Sequence, residues 1–307
     1  VLLMHLNNDT GENGTFFKDW SGLGNNGTCS GTECPTFNAS GNLNNAYDFD
    51  GSNDVISGTD TNFPTGNSSR SIFMWVYPNA LATGWRAFFF YGTEASGKGI
   101  SFSTDSGAPT KLILGRHGAN SADSTVALIT NAWQHIGFTI SDGNNVTFYI
   151  NGINAGSSTL SGINTTLSSF KIGDGWNTGD IFNGTIDEVA IWNRTLSATE
   201  ILNIYKRGAL RLNLSVQSCD DASCSGESFT NLGSNLTSPQ TLSVTNNSYF
   251  QYKYEFSTDN ISYTPELYNV TINYNLLDQT APSVNLNSPA NNTNTSSTNI
   301  NFNFTAT

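Results

Sequence analysis

Charge is scarce in this sequence. Asp, Glu, Lys and Arg make up 12% of 307 residues, about half of the ~25% usual in soluble domains. The 12 basic side chains are scattered among 24 acidic ones, for a formal net charge of −12. They leave no positive footprint for a phosphate backbone, which excludes nucleic acid as a partner. Long apolar runs are missing as well. The longest, Ile72 to Tyr77, falls far short of the ~20 residues that cross a bilayer as a helix, so no membrane span is expected in this segment. Only three histidines occur (His5, His117 and His135), and none stands beside a Ser or Cys elbow of the kind nucleophilic catalysis uses.

Uncharged polarity takes the place of charge. The 41 Asn, 36 Ser, 36 Thr and 29 Gly together form about 46% of the chain, a composition that favours an all-β extracellular protein over a helical one. The pattern N-x-S/T, the acceptor of Asn-linked glycan, occurs at Asn8, Asn13, Asn26, Asn38, Asn67, Asn145, Asn164, Asn183, Asn193, Asn213, Asn235, Asn246, Asn260, Asn269, Asn291, Asn294 and Asn303. Random placement of the same residues gives roughly 9 or 10 such sites. The excess predicts a heavily N-glycosylated protein at the cell surface or outside the cell.

The four cysteines fall in two close pairs, Cys29 and Cys34 in CSGTEC and Cys219 and Cys224 in CDDASC. Tight turns of this length bring two Cα atoms into disulfide range, and two local staples in an oxidising compartment are expected. A zinc site is disfavoured, because its knuckles use two-residue spacing and the pairs here are far apart in a histidine-poor chain. The stretch from Val1 to Leu6 is too short, and lacks the basic residues, for a signal peptide, so the chain reads as a mature or excised segment.

Short runs with period-two alternation recur along the first two thirds: Ala46 to Asp50, Ser71 to Tyr77, Ala87 to Tyr91, Gly99 to Ser103, Lys111 to Leu114, His135 to Ile140 and Val146 to Ile150. These predict strands of a sandwich or jelly roll, with Asn151-Gly152 as a hairpin turn. Ser197-Ala198-Thr199-Glu200 is a capping box opening a helix over Ile201, Leu202, Ile204 and Tyr205, with Gly208 as its stop. Strands then resume from Leu210, notably Tyr249 to Phe256. The expected organisation is a jelly roll over 1–208, a small β-sandwich over 209–277, and a linker with an incomplete segment over 278–307. Ile300, Phe302 and Phe304 alternate with polar residues. Such a greasy strand without a partner suits donation to a neighbouring subunit, the alternative being an immunoglobulin-like domain that continues beyond the segment.

The motifs DWSGLGNNGT (19–28), AYDFDGSNDVI (46–56), SIFMWVYP (71–78), AWQHIGFTI (132–140), VTFYINGI (146–153) and NGTIDEVAIWNRTLSATEI (183–201) resemble, in family order, the laminin-G-like, concanavalin A-type jelly roll. DQTAPSVNLNSP (278–289) is similar to the opening of immunoglobulin-like repeats on microbial, including archaeal, surface proteins. The resemblance implies an all-β sandwich and a choice among lectins, adhesion modules and glycan hydrolases, which residues must decide. It implies a structural calcium held by Asp19, Asn25 and Asp187, hard oxygen ligands suited to that cation, with an Asx turn as the alternative role of Asp19 and Asn25. Family glucanases carry E-x-D-x-x-E on one strand, and that triplet is absent here. Asp187 and Glu188, as strand neighbours, point to opposite faces, and His135 falls in a family core strand. No enzyme is expected. For sugar binding, Trp176 in the loop Gly173 to Asn177 is the candidate platform, with a loop plug as its alternative role, whereas Trp75, Trp133 and Trp192 sit in strand patterns.

The leading expectation is thus a non-enzymatic extracellular glycoprotein, a structural or adhesive module of a surface filament or layer whose partners are copies of itself or other surface proteins. A carbohydrate-binding lectin module is the second reading, and an accessory domain of a larger glycan hydrolase the third.

Overall fold

The computed structural model describes residues 1–307 except 82, 83, 106, 142, 143, 178, 235–240, 246, 259, 264, 266, 268, 274–283, 289–300 and 307, with backbone alone for 234, 284–288 and 301–306. It divides into two compact units, Val1–Tyr205 and Lys206–Thr307.

The first unit contains β1 (Leu2–Met4), β2 (Phe16–Phe17), β3 (Gly27–Thr28), β4 (Thr36–Asn38), β5 (Ala46–Asp50), β6 (Ile56–Gly58), β7 (Arg70–Pro78) and β8 (Arg86–Gly92). It continues with β9 (Gly99–Thr104), β10 (Lys111–Arg116), β11 (Ser121–Ala127), β12 (Gln134–Ser141), β13 (Asn145–Ile150), β14 (Ile153–Thr159), β15 (Ser169–Ile172), β16 (Asn183–Trp192) and the start of helix α1 (Ala198–Ala209). Two antiparallel sheets of eight strands each result. The first runs β14-β13-β12-β7-β16-β5-β4, with β1 added to β16, and the second runs β11-β10-β9-β8-β15-β6-β3-β2. Ile72, Met74, Val76, Ile136, Phe138 and Ile140 of the first sheet meet Phe89, Tyr91, Ile100, Phe102, Leu112 and Leu114 of the second in one core.

Strand β7 is apolar on both faces because both are covered. Its alternate residues Phe73 and Trp75 point away from the core, where Phe73 clusters with Tyr149, Leu196 and Ile201 and Trp75 stacks on Tyr205 of α1 at 5.6 Å. Gly137 leaves room there, since a Cβ would collide with the Phe73 ring. The expected capping box is present: Ser197 N donates to Glu200 Oε2 (2.9 Å), and Glu200 N donates to Ser197 Oγ (3.3 Å). Gly208 does not stop the helix, which runs through it to Ala209 and passes straight into the next strand. A single glycine near a helix end is tolerated for about 1 kcal/mol.

Arg70 is fully buried. Its guanidinium donates to the carbonyls of Thr65, Gly66 and Ser68 and to the hydroxyls of Tyr91 and Thr165, which pins the turn carrying Asn67. Burial pushes the Tyr91 hydroxyl up to about 12.

The second unit contains β17 (Leu210–Cys219), β18 (Thr230–Ser234), β19 (Tyr249–Thr258), β20 (Val284–Ser288) and β21 (Asn301–Ala306), ordered β18-β17-β19-β21-β20 in one sheet. The last strand is therefore not the unpartnered donor expected from Phe302 and Phe304. It pairs in its own chain, Tyr254 with Phe302 and Tyr252 with Phe304, and β20 completes its other edge. Tethering favours this: a strand on the same chain meets its edge at an effective concentration of order millimolar. Ile300 lies outside the described residues. Both expected disulfides form, Cys29–Cys34 and Cys219–Cys224, with Cα separations of 5.0 and 5.1 Å.

Candidate functional site

On the outward face of the second sheet, one row of residues crosses four strands in register, Phe90–Ser101–Gly115–Ser121. Each alternates with a core residue along its strand, so the row points away from the sandwich interior. Three of its members, Ser101, Gly115 and Ser121, are small, and the depression at Gly115 is filled by Trp176 from the loop between β15 and β16. A Cβ on Gly115 would stand 2.8 Å from Cη2 of that indole. Phe90 and His117 meet the same ring edge-on, at 6.2 and 5.4 Å.

The loop that carries Trp176 is held at both ends. Gly173 N donates to Phe88 O (3.0 Å), Phe182 N to Gly173 O (2.9 Å) and Ala87 N to Asp180 O (2.8 Å). Arg86 Nη1 donates to Gly179 O (2.9 Å), and Lys171 Nζ donates to Gly175 O (3.1 Å) while pairing with Glu94 at 2.8 Å. Burial pushes the Asp180 carboxyl up, against the hydrogen bonds it receives from Asn177. Trp176 is consequently half plug and half wall. One part of its ring rests on Gly115, and the remainder borders a cleft of about 310 Å³ lined also by Trp85, His117, Ser121 and Asn177. That volume lies at the small end of ligand sites. Two indoles beside the Ser121 hydroxyl, the Asn177 amide and the Arg116 guanidinium suit a sugar ring, whose C–H face stacks on an aromatic while its hydroxyls hydrogen-bond around the rim.

Of the residues expected at this kind of site, only Trp176 was identifiable by type. Trp85 and the Ser101–Gly115 depression become visible only once strand register is known. Of the other tryptophans, Trp75 is buried, while Trp133 and Trp192 are half-buried against Tyr77 and Phe73.

Asp19 and Asn25 share one loop, where Asp19 makes the Asx-type contacts given as its alternative role, while Asp187 meets a different segment. Asp19 Oδ1 accepts from Leu3 N (3.1 Å) and Ser21 N (2.9 Å), and Oδ2 accepts from Ser21 Oγ and Asn25 N (both 2.9 Å). Its lone pairs are spent on donors, which organises the loop that displays Trp20 and Leu23 on the surface. Asp187 serves a different segment, accepting from Leu43 N at 2.8 Å. Burial, with the charge of Glu188 second, drives its carboxyl well above the usual range. No cluster of three or more His, Cys, Asp or Glu fit for a metal exists among the described residues.

Asp187 and Glu188 also fail to share a site, by a route the strand pattern did not show. A bulge interrupts the β16 pairing between Asp187 and Ala190, and Glu188 takes φ +53°, so its carboxylate turns to His5 Nδ1 at 2.7 Å. His135 is fully buried, stacked on Phe73 at 5.3 Å, and desolvation lowers its imidazole to about 3.

The acceptor asparagines sort cleanly by burial. Asn8, Asn13, Asn67, Asn145, Asn164, Asn193 and Asn269 are exposed, and Asn26, Asn38, Asn183, Asn213 and Asn260 are half-buried. The fully buried Asn7, Asn25 and Asn42 all lie outside acceptor triplets. The amides of Asn38, Asn183 and Asn213 donate to Asp48, Asp50 O and Glu255. Asn235, Asn246, Asn291 and Asn294 lie outside the described residues, and Asn303 is described by backbone alone.

The fold of the first unit is a concanavalin A-like jelly roll, a sandwich shared by binding modules and glycan-cleaving enzymes. Residues 50–202 match the Laminin_G_3 family, concanavalin A-like lectin/glucanases superfamily. Among solved structures, the binding domain of paraclostridial mosquitocidal protein 1 is 14% identical, with a TM-score of 0.54 over 95% of this chain and 72% of its own. The botulinum neurotoxin serotype G binding domain is 16% identical, with a TM-score of 0.52 over 82% and 72%. Domain 4 of the extracellular arabinanase AbnA from Geobacillus stearothermophilus, solved with arabinotriose, is 23% identical, with a TM-score of 0.46 over 58% and 83%. No curated protein sequence matches the chain.

Proposed function

We propose that this protein is an extracellular, N-glycosylated, glycan-binding module, with the Trp85–Trp176 cleft as its sugar site. The observation that carries the reading is a loop tryptophan seated on Gly115 that shares the lining of one polar-rimmed cleft with a second tryptophan, Trp85. Support comes from several sides. The fold is one that binding domains use, as the two toxin domains do, although at their identity they speak for fold alone. The two disulfides suit an oxidising compartment, and no helix among the described residues is long and apolar enough to cross a membrane. The acceptor asparagines among the described residues face solvent or its margin. Asp187 and Glu188 diverge, which leaves this pair unable to act as acid and nucleophile.

Adhesion through bound glycan is the form in which the structural reading persists, since β21 is already paired. A glycan array tests the proposal: selective, saturable binding by the native protein, lost in Trp176→Ala, is the expected result. Glycopeptide mapping tests the glycosylation, with the exposed Asn8, Asn13, Asn67, Asn164 and Asn193 expected to be occupied more fully than Asn38, Asn183 and Asn213, whose amides are engaged internally.

A further inference from the structure

The glycan acceptors are not spread evenly over the jelly roll. Between Asn67 and Asn145 the sequence carries none, where an even distribution of the 17 would place about four. Ser and Thr are as frequent in this stretch as elsewhere. What is withheld is asparagine in the right register: only Asn79, Asn120, Asn131 and Asn144 occur, and none has a hydroxyl residue two positions on. The stretch contains β7 to β12, including β8, β9, β10 and β11, the consecutive strands that form one half of the second sheet. That half bears the cleft, supplying Trp85, His117 and Ser121. The asparagine on the cleft wall outside this stretch, Asn177, is followed by Thr178 and Gly179 and is no acceptor either. Acceptors resume on the other strands of both sheets, at Asn26 in the loop before β3, Asn38 in β4, Asn145 in β13, Asn164 before β15 and Asn183 in β16.

On the reading proposed above, one molecule combines a sugar cleft with no acceptor among its lining residues and many acceptor asparagines elsewhere. We infer that the two are complementary, and that the occupant of the cleft is the N-linked glycan of a second copy of this chain. The inference rests on the glycan-binding reading above and deepens it by naming the ligand's source. Such a contact is heterologous: the cleft of one copy takes the glycan of the next, leaving that copy's own cleft open, which propagates into chains or layers. Each contact is weak, and several acceptors per molecule supply the avidity.

The test uses the intact glycosylated protein and its own released N-glycans. Released glycan should bind the native protein and dissolve its self-association in sedimentation velocity, a readout that needs no variant. Enzymatic deglycosylation and Trp176→Ala should each abolish self-association, the variant also losing roughly tenfold or more in affinity for the released glycan. Trp85→Ala serves the same purpose should the first variant misfold. Mixing deglycosylated native protein, which keeps the cleft, with glycosylated Trp176→Ala protein, which keeps the sugar, should restore association between them. Three results overturn the inference. An array ligand that binds the cleft while the protein's own glycans do not would refute it and leave the glycan-binding reading standing. A monomeric glycoprotein whose cleft admits free glycan only after deglycosylation would mean occupancy within one molecule. Absence of any glycan binding, or of any occupied acceptor, would remove the reading and the inference together.

Discussion

The two outward faces of the jelly roll are built to opposite ends. On the first sheet, Phe73, Trp75 and His135 lie under α1 with Leu196, Ile201 and Tyr205, and the face is sealed. On the second, Phe90 is followed across the strands by Ser101 and Gly115, and what covers them is a loop that brings one indole and stops, leaving a cleft. A helix closes a face because its stripe of side chains matches the length of the strands. A loop tethered at its two ends fills a spot and leaves the margin open, which is where loops carry function.

Substitutions can separate the faces. The largest effect is expected from Phe73→Ala on the sealed side, a loss of about 4 kcal/mol of stability read by denaturant unfolding. Acid should come next. Because the folded His135 holds its proton only near pH 3, the unfolded chain binds a proton that the folded one refuses once pH falls below ~6.5. Stability from this group is complete above that pH and is lost on acidification, by on the order of 3 kcal/mol at pH 4. Asp187 works in the opposite sense, since its raised carboxyl costs less as pH falls toward its ordinary value. The difference between the native protein and His135→Phe across pH 7 to 4 isolates the histidine; parallel curves would refute this account of it.

On the open face the expected effects fall on binding. Trp176→Ala should weaken glycan binding by about 10- to 100-fold and change the melting temperature by less than Phe73→Ala does. Gly115→Ala, which forces the indole to shift, should weaken binding to a smaller extent with the loop still anchored by Arg86 and Lys171. The smallest expected effect is none: a chelator should leave the melting temperature unchanged, since the Asp19 oxygens already hold four protein donors. A calcium-dependent rise abolished by Asp19→Ala would contradict that.

The sealed face was legible in the sequence and the open one was not. The unbroken run Ile72 to Tyr77, the capping box at Ser197 and the apolar stripe of the helix all declare a strand covered on both sides, because burial is written in residue type. The depression under Trp176 is written in the coincidence of Ser101 and Gly115 on adjacent strands, a relation that needs the register. The bulge at Glu188 and the pairing of β21 with β19 are similarly tertiary outcomes, decided by which backbone edge each segment meets. The roles of Asp19 and Asn25 are of the same kind: their chemistry suits a cation, but which donors meet the Asp19 carboxylate is set by the fold, and the backbone amides of Leu3, Ser21 and Asn25 do so.

The central claim is that the open face binds glycan through Trp176. Its most direct test is calorimetric titration of an array-selected oligosaccharide into the native protein, Trp176→Ala and His135→Phe. The account predicts saturable binding by the native protein and by His135→Phe and at least tenfold weaker binding by Trp176→Ala; equal affinity in all three, or no oligosaccharide bound by the native protein, would contradict it.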